Sequence, residues 1–167
     1  MDEYRFQQHG LRLAFWFHID EKGPIVRHAP TRKKIGIVGA VRVCDGKLLA
    51  REKEKFNAQT FEAFFSELFQ HRDGGKLMVV VLDNARFHHA KVLSEWLGKH
   101  SAEFCLDFLP PYSPELNHIE RVWKLIRRLC THNQYFEHLT ELCHAVFTKI
   151  SEWASPNNAL AQLCAII

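Results

Sequence analysis

The chain has 167 residues, of which 47% are hydrophobic and 25% charged, a composition that excludes a disordered or fibrous protein. No apolar run reaches the ~20 residues that a membrane-spanning helix needs, and no signal peptide pattern is present, so a single cytoplasmic domain over residues 1–167 is expected. The five scattered cysteines include no C-x-x-C pair and are expected to be reduced, and a net charge of +3 permits a phosphate-rich partner without requiring one.

Strand patterns dominate the first part of the chain. Residues 11–19 are rich in aromatic and apolar side chains and run into a turn signal at residues 20–24, which predicts a first strand with Asp20 at its end. The dipeptide Asp45-Gly46 separates two further apolar runs, residues 35–43 and 47–50, and predicts an antiparallel hairpin.

Helices and strands alternate in the rest of the chain. The apolar period predicts helices within residues 57–70, near residues 92–97, from Ser113 and Pro114 onward, and over roughly residues 136–153. Residues 77–82 form a continuous apolar run, as in a central strand covered on both faces, and residues 104–109 form a fifth strand. The order predicts an α/β fold with a mixed five-stranded sheet and helices on both faces.

Two acidic residues lie at positions that suggest a ligand site. Asp83 directly follows a predicted strand, where open α/β sheets place ligand sites, although an acid there can also simply cap the turn. Glu120 shares a helix face with Leu116 and Trp123, whereas Glu115 lies about 140° away around the helix and is expected to be solvated. An inward carboxylate is costly unless it is paired or binds a cation, so Glu120 either is held by an arginine or binds a metal ion.

Asp20 supplies a third acid if the first and fourth strands are neighbours, and its alternative is a plain turn residue. Sites built only of carboxylates suit Mg²⁺ or Mn²⁺ rather than zinc. Two such ions can clamp the attacking and leaving oxygens of a phosphoryl displacement without a nucleophilic Ser or Cys. Asp20, Asp83 and Glu120 therefore predict metal-dependent phosphoryl transfer.

The motifs around these acids are long. Residues 83–89 (Asp-Asn-Ala-Arg-Phe-His-His) and 109–124 (Leu-Pro-Pro-Tyr-Ser-Pro-Glu-Leu-Asn-His-Ile-Glu-Arg-Val-Trp-Lys) resemble the catalytic core of the IS630-type transposases, in the IS630/Tc1/mariner superfamily with its DDE endonuclease domain. The 36 residues between Asp83 and Glu120 are close to that family's spacing, and the similarity extends from about residue 13 to residue 142. It implies a ribonuclease-H-like fold in which Asp20, Asp83 and Glu120 hold two Mg²⁺ (or Mn²⁺) ions.

The resemblance also implies supporting roles for motif neighbours of these acids: Asn84, His88, Asn117 and Trp123. Asn84 would orient a carboxylate or a water molecule, or else stabilise a turn. His88 would contact a DNA phosphate or face solvent at the start of a helix.

Basic side chains flank Glu120. Arg121, Lys124, Arg127 and Arg128 are predicted to contact DNA phosphates, with ordinary solvated charges as the alternative; for the basic loop at residues 27–34 the two interpretations are equally open. The resemblance implies double-stranded DNA as the partner, both transposon ends and target DNA, at the nucleoid of a prokaryotic cell. It leaves open a homodimer and a separately encoded DNA-binding subunit.

Members of this family carry an N-terminal helix-turn-helix region, whereas 19 residues precede Asp20 here. The chain is therefore expected to be the catalytic half of a transposase. The implied function is DNA cleavage at the element's end followed by strand transfer, commonly into a TA dinucleotide. The alternative is an inactive or truncated remnant that binds DNA or a partner subunit.

Overall fold

The computed structural model describes residues 1–9, 16, 18–20, 27, 31–85, 88 and 90–165. In chain order, its elements are β1 (Asp2–Gln7), β2 (Lys34–Val41), β3 (Leu48–Glu52), α1 (Ala58–Gln70), β4 (Met78–Leu82), α2 (Lys91–His100), β5 (Phe104–Phe108), a 3₁₀ turn (Pro114–Leu116), α3 (His118–Cys130), α4 (Leu139–Glu152) and α5 (Asn158–Leu163). From β2 to α4 this order agrees with the prediction.

The first strand lies earlier in the chain than predicted. β1 pairs antiparallel with β2 over its whole length. The strand predicted at residues 11–19 lies mostly outside the described residues, and Trp16 and Ile19, which are described, are exposed and outside any strand. The prediction rested on the aromatic run at residues 11–19, whereas the strand forms in the short alternating segment before that run.

The five strands form two sheets that meet at one point. β1, β2 and β3 form an antiparallel sheet, with the predicted hairpin between β2 and β3, and β4 and β5 form a parallel pair. Among the described residues, one main-chain hydrogen bond joins the two sheets, from the amino nitrogen of Met1 to the carbonyl oxygen of Val81 at 2.7 Å. The strand order is thus β3-β2-β1-β4-β5, divided between β1 and β4.

Helices cover both faces of these sheets. One buried cluster lies between β1–β3 and the C-terminal helices α3, α4 and α5, and includes Phe6, Ile37, Leu48, Trp123, Ile126, Leu142, Val146 and Leu160. The other lies between the sheets and the helices α1 and α2, and includes Met1, Val38, Phe61, Phe65, Val80, Leu93, Trp96 and Phe104. Consecutive residues of β2 belong to different clusters because strand side chains alternate between faces.

The ends of several helices differ from the prediction. α3 begins at His118, because the chain after Ser113 first makes a 3₁₀ turn in which Leu116 stays exposed. α4 begins at Leu139 rather than near residue 136, and α5 was not predicted; the side chain of Asn157 caps it by accepting from the Leu160 amide. None of the helices in the described ranges is long and apolar enough to cross a membrane.

α3 lies close against β2 because a glycine faces it. A Cβ atom on Gly39 would be 2.7 Å from Cη2 of Trp123 and 3.2 Å from the carbonyl oxygen of Leu49. The Trp123 ring is fully buried and stacks against Tyr4 with ring centroids 6.0 Å apart. Gly39 thereby sets how closely the helix that carries Glu120 approaches the sheet.

Candidate active site

The starts of β1 and α3 meet the end of β4. The amino group of Met1 donates to the Val81 carbonyl of β4, and the Met1 carbonyl accepts from Nδ2 of Asn117 at 3.2 Å. Met1 and Asn117 are both buried, and Asn117 directly precedes α3. These two hydrogen bonds hold together three elements that each contribute an acid.

Carboxyl groups crowd this junction: Asp2 and Glu3 in β1, Asp83 after β4, and Glu120 in the first turn of α3. Burial, together with the negative charges of Glu3 and Glu120, raises the pKa of Asp2 to about 8. Burial and the charge of Asp83 raise the pKa of Glu3 to about 7. Asp2 Oδ2 and Glu3 Oε2 are buried and make no hydrogen bond. Buried carboxylate oxygens without partners are costly unless a proton or a cation neutralises them.

The two acids of β1 point to opposite faces of the sheet. Tyr4, two residues after Asp2, stacks against Trp123 of α3. Because strand side chains alternate, Asp2 lies on the face that α3 covers and Glu3 on the other. The charge interaction between Asp2 and Glu120 agrees with this placement. Asp2 is therefore the β1 acid on the side of the α3 acid.

Asp83 is contacted from the protein interior by His88. The side chain of Asp83 is 53% exposed and that of His88 only 2%, and His88 Nε2 lies 3.3 Å from Asp83 Oδ1. The imidazole ring sits edge-on to Phe61 with centroids 4.6 Å apart, which fixes its plane. Asp83 Oδ1 also accepts from the Ala85 amide at 3.4 Å, so it makes the predicted turn contact as well. His88 is buried rather than solvent-facing, while Asn84 is exposed beside Asp83.

Glu120 lies in the first turn of α3 beside the buried Ile119, whereas Leu116, which the prediction placed on the same helix face, precedes α3 and is exposed. Glu120 is half-buried, whereas Glu115 in the preceding 3₁₀ turn is exposed. Arg121, the arginine that follows Glu120 in the sequence, donates from Nη1 to the carbonyl oxygens of Leu163 at 3.1 Å and Ala165 at 3.4 Å. Arg121 therefore anchors the end of α5 on α3.

The basic residues of α3 divide into two pairs. Arg121 is engaged as described, and Arg127 donates from Nη1 to the hydroxyl group of Tyr4 at 3.3 Å. Lys124 and Arg128 are exposed and lie one helical turn apart. Lys124 and Arg128 are thus the exposed pair, and Arg121 and Arg127 the half-buried one.

Asp20 does not occupy the position predicted for the first acid. It lies in a turn, its side chain is 84% exposed, and its Oδ2 is 3.4 Å from Nδ1 of His18. It is not among the charges that act on Asp2 or Glu3. The prediction depended on residues 11–19 being the first strand, and the first strand of the described chain instead begins with an acid of its own.

The sequence signal for that earlier acid is short but present. Asp2, Tyr4 and Phe6 alternate with Glu3 and Arg5, which is the period of a strand. Tyr4 and Phe6 give this strand one aromatic face, and Asp2 extends the same face to the start of β1. This signal spans only six residues, whereas the aromatic and apolar run at residues 11–19 is longer.

The carboxylates at this junction are of the type that binds a hard divalent cation, although they do not lie close enough together to coordinate one ion. Within the described ranges, no group of three or more His, Cys, Asp or Glu side chains is close enough to hold a metal ion. Carboxylate oxygens are nevertheless the ligands that Mg²⁺ and Mn²⁺ prefer, and Asp2 Oδ2 is buried there without a partner. Asp2, Asp83 and Glu120 thus fit such an ion by their chemistry, provided that the ion draws the three carboxylates together.

Comparison with known proteins points to one family. A family model described as "DDE superfamily endonuclease" matches residues 1–143. The chain is 25% identical over 114 residues to the "Insertion element IS630 uncharacterized 39 kDa protein" of Shigella sonnei, covering 68% of this chain and 33% of that protein. It is 30% identical over 117 residues to the uncharacterized protein y4pE/y4sA of Sinorhizobium fredii, covering 68% of this chain and 83% of that protein.

Solved structures of the Mos1 transposase have a similar fold. The paired-end complex with the left transposon end superposes with a TM-score of 0.71 at 15% identity, covering 98% of this chain and 49% of that one. The mariner paired-end complex with Mn gives 0.66 at 17% identity, covering 98% and 50%. The catalytic domain with Raltegravir and Mg gives 0.53 at 16% identity, covering 78% and 68%. The predicted α/β, ribonuclease-H-like fold is confirmed. The chain spans a third of the length of the IS630 protein and about half of the Mos1 chain in its paired-end complexes.

Proposed function

The chain belongs to the DDE superfamily endonucleases of the IS630/Tc1/mariner group, and from that premise we propose that it is a transposase catalytic domain that cleaves DNA strands and transfers them to target DNA. The observation that carries this proposal is the junction of β1, β4 and α3. Three elements distant in sequence each present an acid there, and a buried oxygen of Asp2 lacks any partner. Such a site is suited to metal-dependent phosphoryl transfer.

We propose Asp2, Asp83 and Glu120 as the acids that hold two Mg²⁺ or Mn²⁺ ions, with Asp2 in the place first predicted for Asp20. When bound, such ions supply Lewis acidity toward the scissile phosphate and make an attacking hydroxyl group more acidic. Asp2 holds a proton near neutral pH in their absence, because its pKa is raised to about 8. Loading the site therefore releases that proton.

The neighbouring residues position these acids. His88 contacts Oδ1 of Asp83 from within the core, at 3.3 Å from its Nε2, and thereby restricts the position of that carboxylate. Asn117 fastens the start of α3 to the main chain of β1 through its bond to Met1. The distance between Glu120 and Asp2 thus depends on a buried amide that does not itself need to touch DNA.

Double-stranded DNA is the proposed partner, both the transposon ends and the target. Lys124 and Arg128 are exposed on α3 beyond Glu120, where ammonium and guanidinium groups can contact phosphates without reading bases. Reading the end sequence would then fall to a helix-turn-helix region or a separately encoded subunit, and two ends would be brought together by a homodimer. A protein with this activity acts at the nucleoid.

The experiment measures the rate at which the protein nicks supercoiled plasmid DNA in Mg²⁺ or Mn²⁺, and compares site variants with a control variant. Asp83→Asn and Glu120→Gln are expected to lower the nicking rate at least about 100-fold, since each removes several kcal/mol of charge stabilisation in the transition state. Glu115→Gln is the matched control on the exposed side of the same segment, and it should nick like the parent. Equal rates for all four proteins would contradict the proposed site.

An inactive remnant would behave differently in two ways. It would not nick DNA in any divalent metal ion, and its thermal unfolding would not respond to Mg²⁺ or Mn²⁺, because only an ion bound to the folded state raises stability. A parent protein without either response would favour the remnant over the catalytic domain.

A further inference from the structure

A loop with several exposed apolar residues connects the end of β5 to the start of α3. Its exposed apolar members are Pro110, Pro111, Tyr112, Pro114 and Leu116. At one end of the loop, the amide of Leu109 donates to the carbonyl oxygen of Leu82, directly before Asp83, at 2.9 Å. At the other end, the side chain of Asn117 donates to the Met1 carbonyl at 3.2 Å. The loop therefore joins the strand that precedes one site acid to the elements that carry the other two.

Tyr112 has an unusual backbone conformation in this loop. Its φ is 59°, and among the residues that the structure describes, Asn133 is the other non-glycine residue with a positive φ. Pro111 and Tyr112 form a turn, in which a positive φ at the second central residue normally requires Gly or Asn. A side chain with a Cβ atom is crowded in this region, and such residues cluster at ligand sites. The backbone at Tyr112 is thus strained in a way that suggests a use for its side chain.

The Tyr112 ring makes no packing contribution that would explain this conformation. The residue is 102% exposed, so its ring is covered by no other part of the protein. Single exposed apolar residues are common on protein surfaces. An exposed aromatic residue in a left-handed conformation differs from these, because the strain is present in the free protein and the ring becomes buried only against a partner.

The loop holds the tyrosine in place before a partner binds. Pro110, Pro111 and Pro114 each fix their own φ angle. The hydroxyl group of Ser113 donates to the Pro111 carbonyl at 3.4 Å, and the Leu116 amide donates to the Ser113 carbonyl at 3.2 Å. A stiff loop loses little conformational entropy on binding, so a single ring can contribute measurably to affinity.

Tyr112 lies close to the acids of the candidate active site. It follows Leu109 by three residues, which span at most about 11 Å, roughly the rise of three stacked bases. Glu120 follows eight residues later, in the first turn of α3. Lys124 and Arg128 continue from Glu120 at intervals of one helical turn, and both are exposed. A strand whose phosphates contact these two cations and reach the acids would bring its next bases to Tyr112.

We propose that Tyr112 is a nucleobase-stacking residue that binds an unpaired base of the strand being cut, within about three nucleotides of the acids. The proposal rests on the proposed function, since that function supplies the DNA strand. Every base has a π face, so an exposed tyrosine ring stacks on it without reading the sequence. Stacking fixes the orientation of a strand that the cations of α3 hold by charge alone.

The test compares Tyr112→Ala with Tyr112→Phe, which keeps the ring and lacks the hydroxyl group. Binding is measured by fluorescence anisotropy in Ca²⁺, a cation that carboxylates bind, with two single strands of equal length, one with thymine bases and one with abasic sugars. The parent and Tyr112→Phe should bind the thymine strand more tightly. Tyr112→Ala should lose about 5- to 100-fold of its affinity for that strand and keep its affinity for the abasic one. Because both strands carry the same phosphates, charge cannot produce this difference.

Tyr135→Ala is the matched control. Tyr135 is 40% exposed and lies beyond the other end of α3, a helix about 20 Å long. This variant should bind both strands like the parent. Salt dependence gives an independent readout, because loss of stacking lowers the affinity equally at every salt concentration, whereas loss of the charges of Lys124 and Arg128 lowers the salt slope.

Thermal unfolding shows whether the variants fold. The Tyr112 ring buries no surface in the free protein, so Tyr112→Ala should keep the unfolding midpoint of the parent. Tyr112→Gly removes the ring and also suits the positive φ, so its midpoint should equal or exceed that of Tyr112→Ala. It should show the same loss of binding to the thymine strand.

An equal preference for the thymine strand in the parent and in Tyr112→Ala would overturn the proposal. So would a change in the sedimentation coefficient of the DNA-free protein in Tyr112→Ala with an unchanged base preference, because the ring would then contact a second copy of the chain. Nicking is scored separately. A parent that shows the ring-dependent preference but never nicks plasmid DNA supports the stacking and contradicts the proposed cleavage, whereas a parent that nicks without the preference contradicts the stacking alone.

Discussion

Replacing Asp2 by Asn should stabilise the metal-free protein at alkaline pH and abolish most of its response to divalent metal ions. Burial and the charges of Glu3 and Glu120 raise the pKa of Asp2 from 3.8 to about 8. The folded protein therefore keeps a proton that the unfolded chain releases, so the free energy of unfolding falls as the pH rises across this interval. Asn cannot ionise, and its variant lacks this slope.

The magnitude follows from the size of the pKa difference. At 1.36 kcal/mol per pH unit, the raised pKa of Asp2 corresponds to an upper limit on the order of 5 kcal/mol. Glu3 and Glu120 carry part of the same repulsion, so we expect a gain of about 2–3 kcal/mol for Asp2→Asn at pH 8 and little difference near pH 4. The amino group of Met1, whose pKa burial lowers to about 6, has the opposite slope, and its contribution differs between the two proteins because the charge of Asp2 raises that pKa.

The assay is urea unfolding from pH 4 to pH 8.5, first with EDTA and then with Mg²⁺ or Mn²⁺. At a metal concentration about 100 times the Kd, the parent should gain roughly 2.7 kcal/mol that the Asn variant mostly lacks, so the stability advantage of the variant at pH 8 should nearly disappear. Asp20→Asn is the comparison that decides between the two candidates for the first acid. If Asp20→Asn loses the metal response while Asp2→Asn keeps it, the reasoning from the strand junction is refuted.

Further substitutions test the geometry around the site. Gly39→Ala places a Cβ 2.7 Å from the indole ring of Trp123 and should lower the free energy of unfolding in urea by about 1–3 kcal/mol. Gly98→Ala, whose Cβ would have nothing within 4 Å, is the control and should be neutral or stabilising. Equal unfolding midpoints for the two variants would show that α3 can shift without cost. His88→Gln should weaken Mn²⁺ binding about 10–100-fold by calorimetric titration while the protein still folds, and an unchanged affinity would mean that the ring does not position the carboxylate beside it. Combined Lys124→Gln and Arg128→Gln should lower the salt slope of DNA binding, measured by fluorescence anisotropy, by about 2, and an unaltered slope would exclude phosphate contacts at both residues.

Local chemistry made much of the fold predictable. The turn at Asp45-Gly46 places Gly46 at a φ of 71°, a conformation that suits glycine, and the hairpin forms where that dipeptide predicts it. The aromatic stripe of α1 is buried as its spacing indicates, with Phe61 and Phe65 fully enclosed. These features depend on neighbours only a few residues apart, so a sequence pattern contains the information.

The rest depends on contacts between distant segments. Asp2 is an active-site candidate because β1 begins beside the end of β4, some 80 residues later, and no local pattern specifies that pairing. His88 is buried because Phe61 of α1 covers it, and Arg121 is occupied by a helix end more than 40 residues away. Motif resemblance identified Asp83 and Glu120 as candidates, but for the first acid it pointed to Asp20, which lies in an exposed turn, and not to Asp2.

The junction between β1 and β4 has a consequence for cooperativity. Asp83 belongs to the half of the molecule built on β4 and β5, while Asp2 and Glu120 belong to the half built on β1–β3 and α3. Side-chain packing and a single main-chain bond at Val81, among the described residues, hold these halves together, so they can exchange amide hydrogens as separate units with different opening free energies. A cation that binds all three acids would act as a cross-link between the two units, and its clearest effect would be to merge their exchange rates into one.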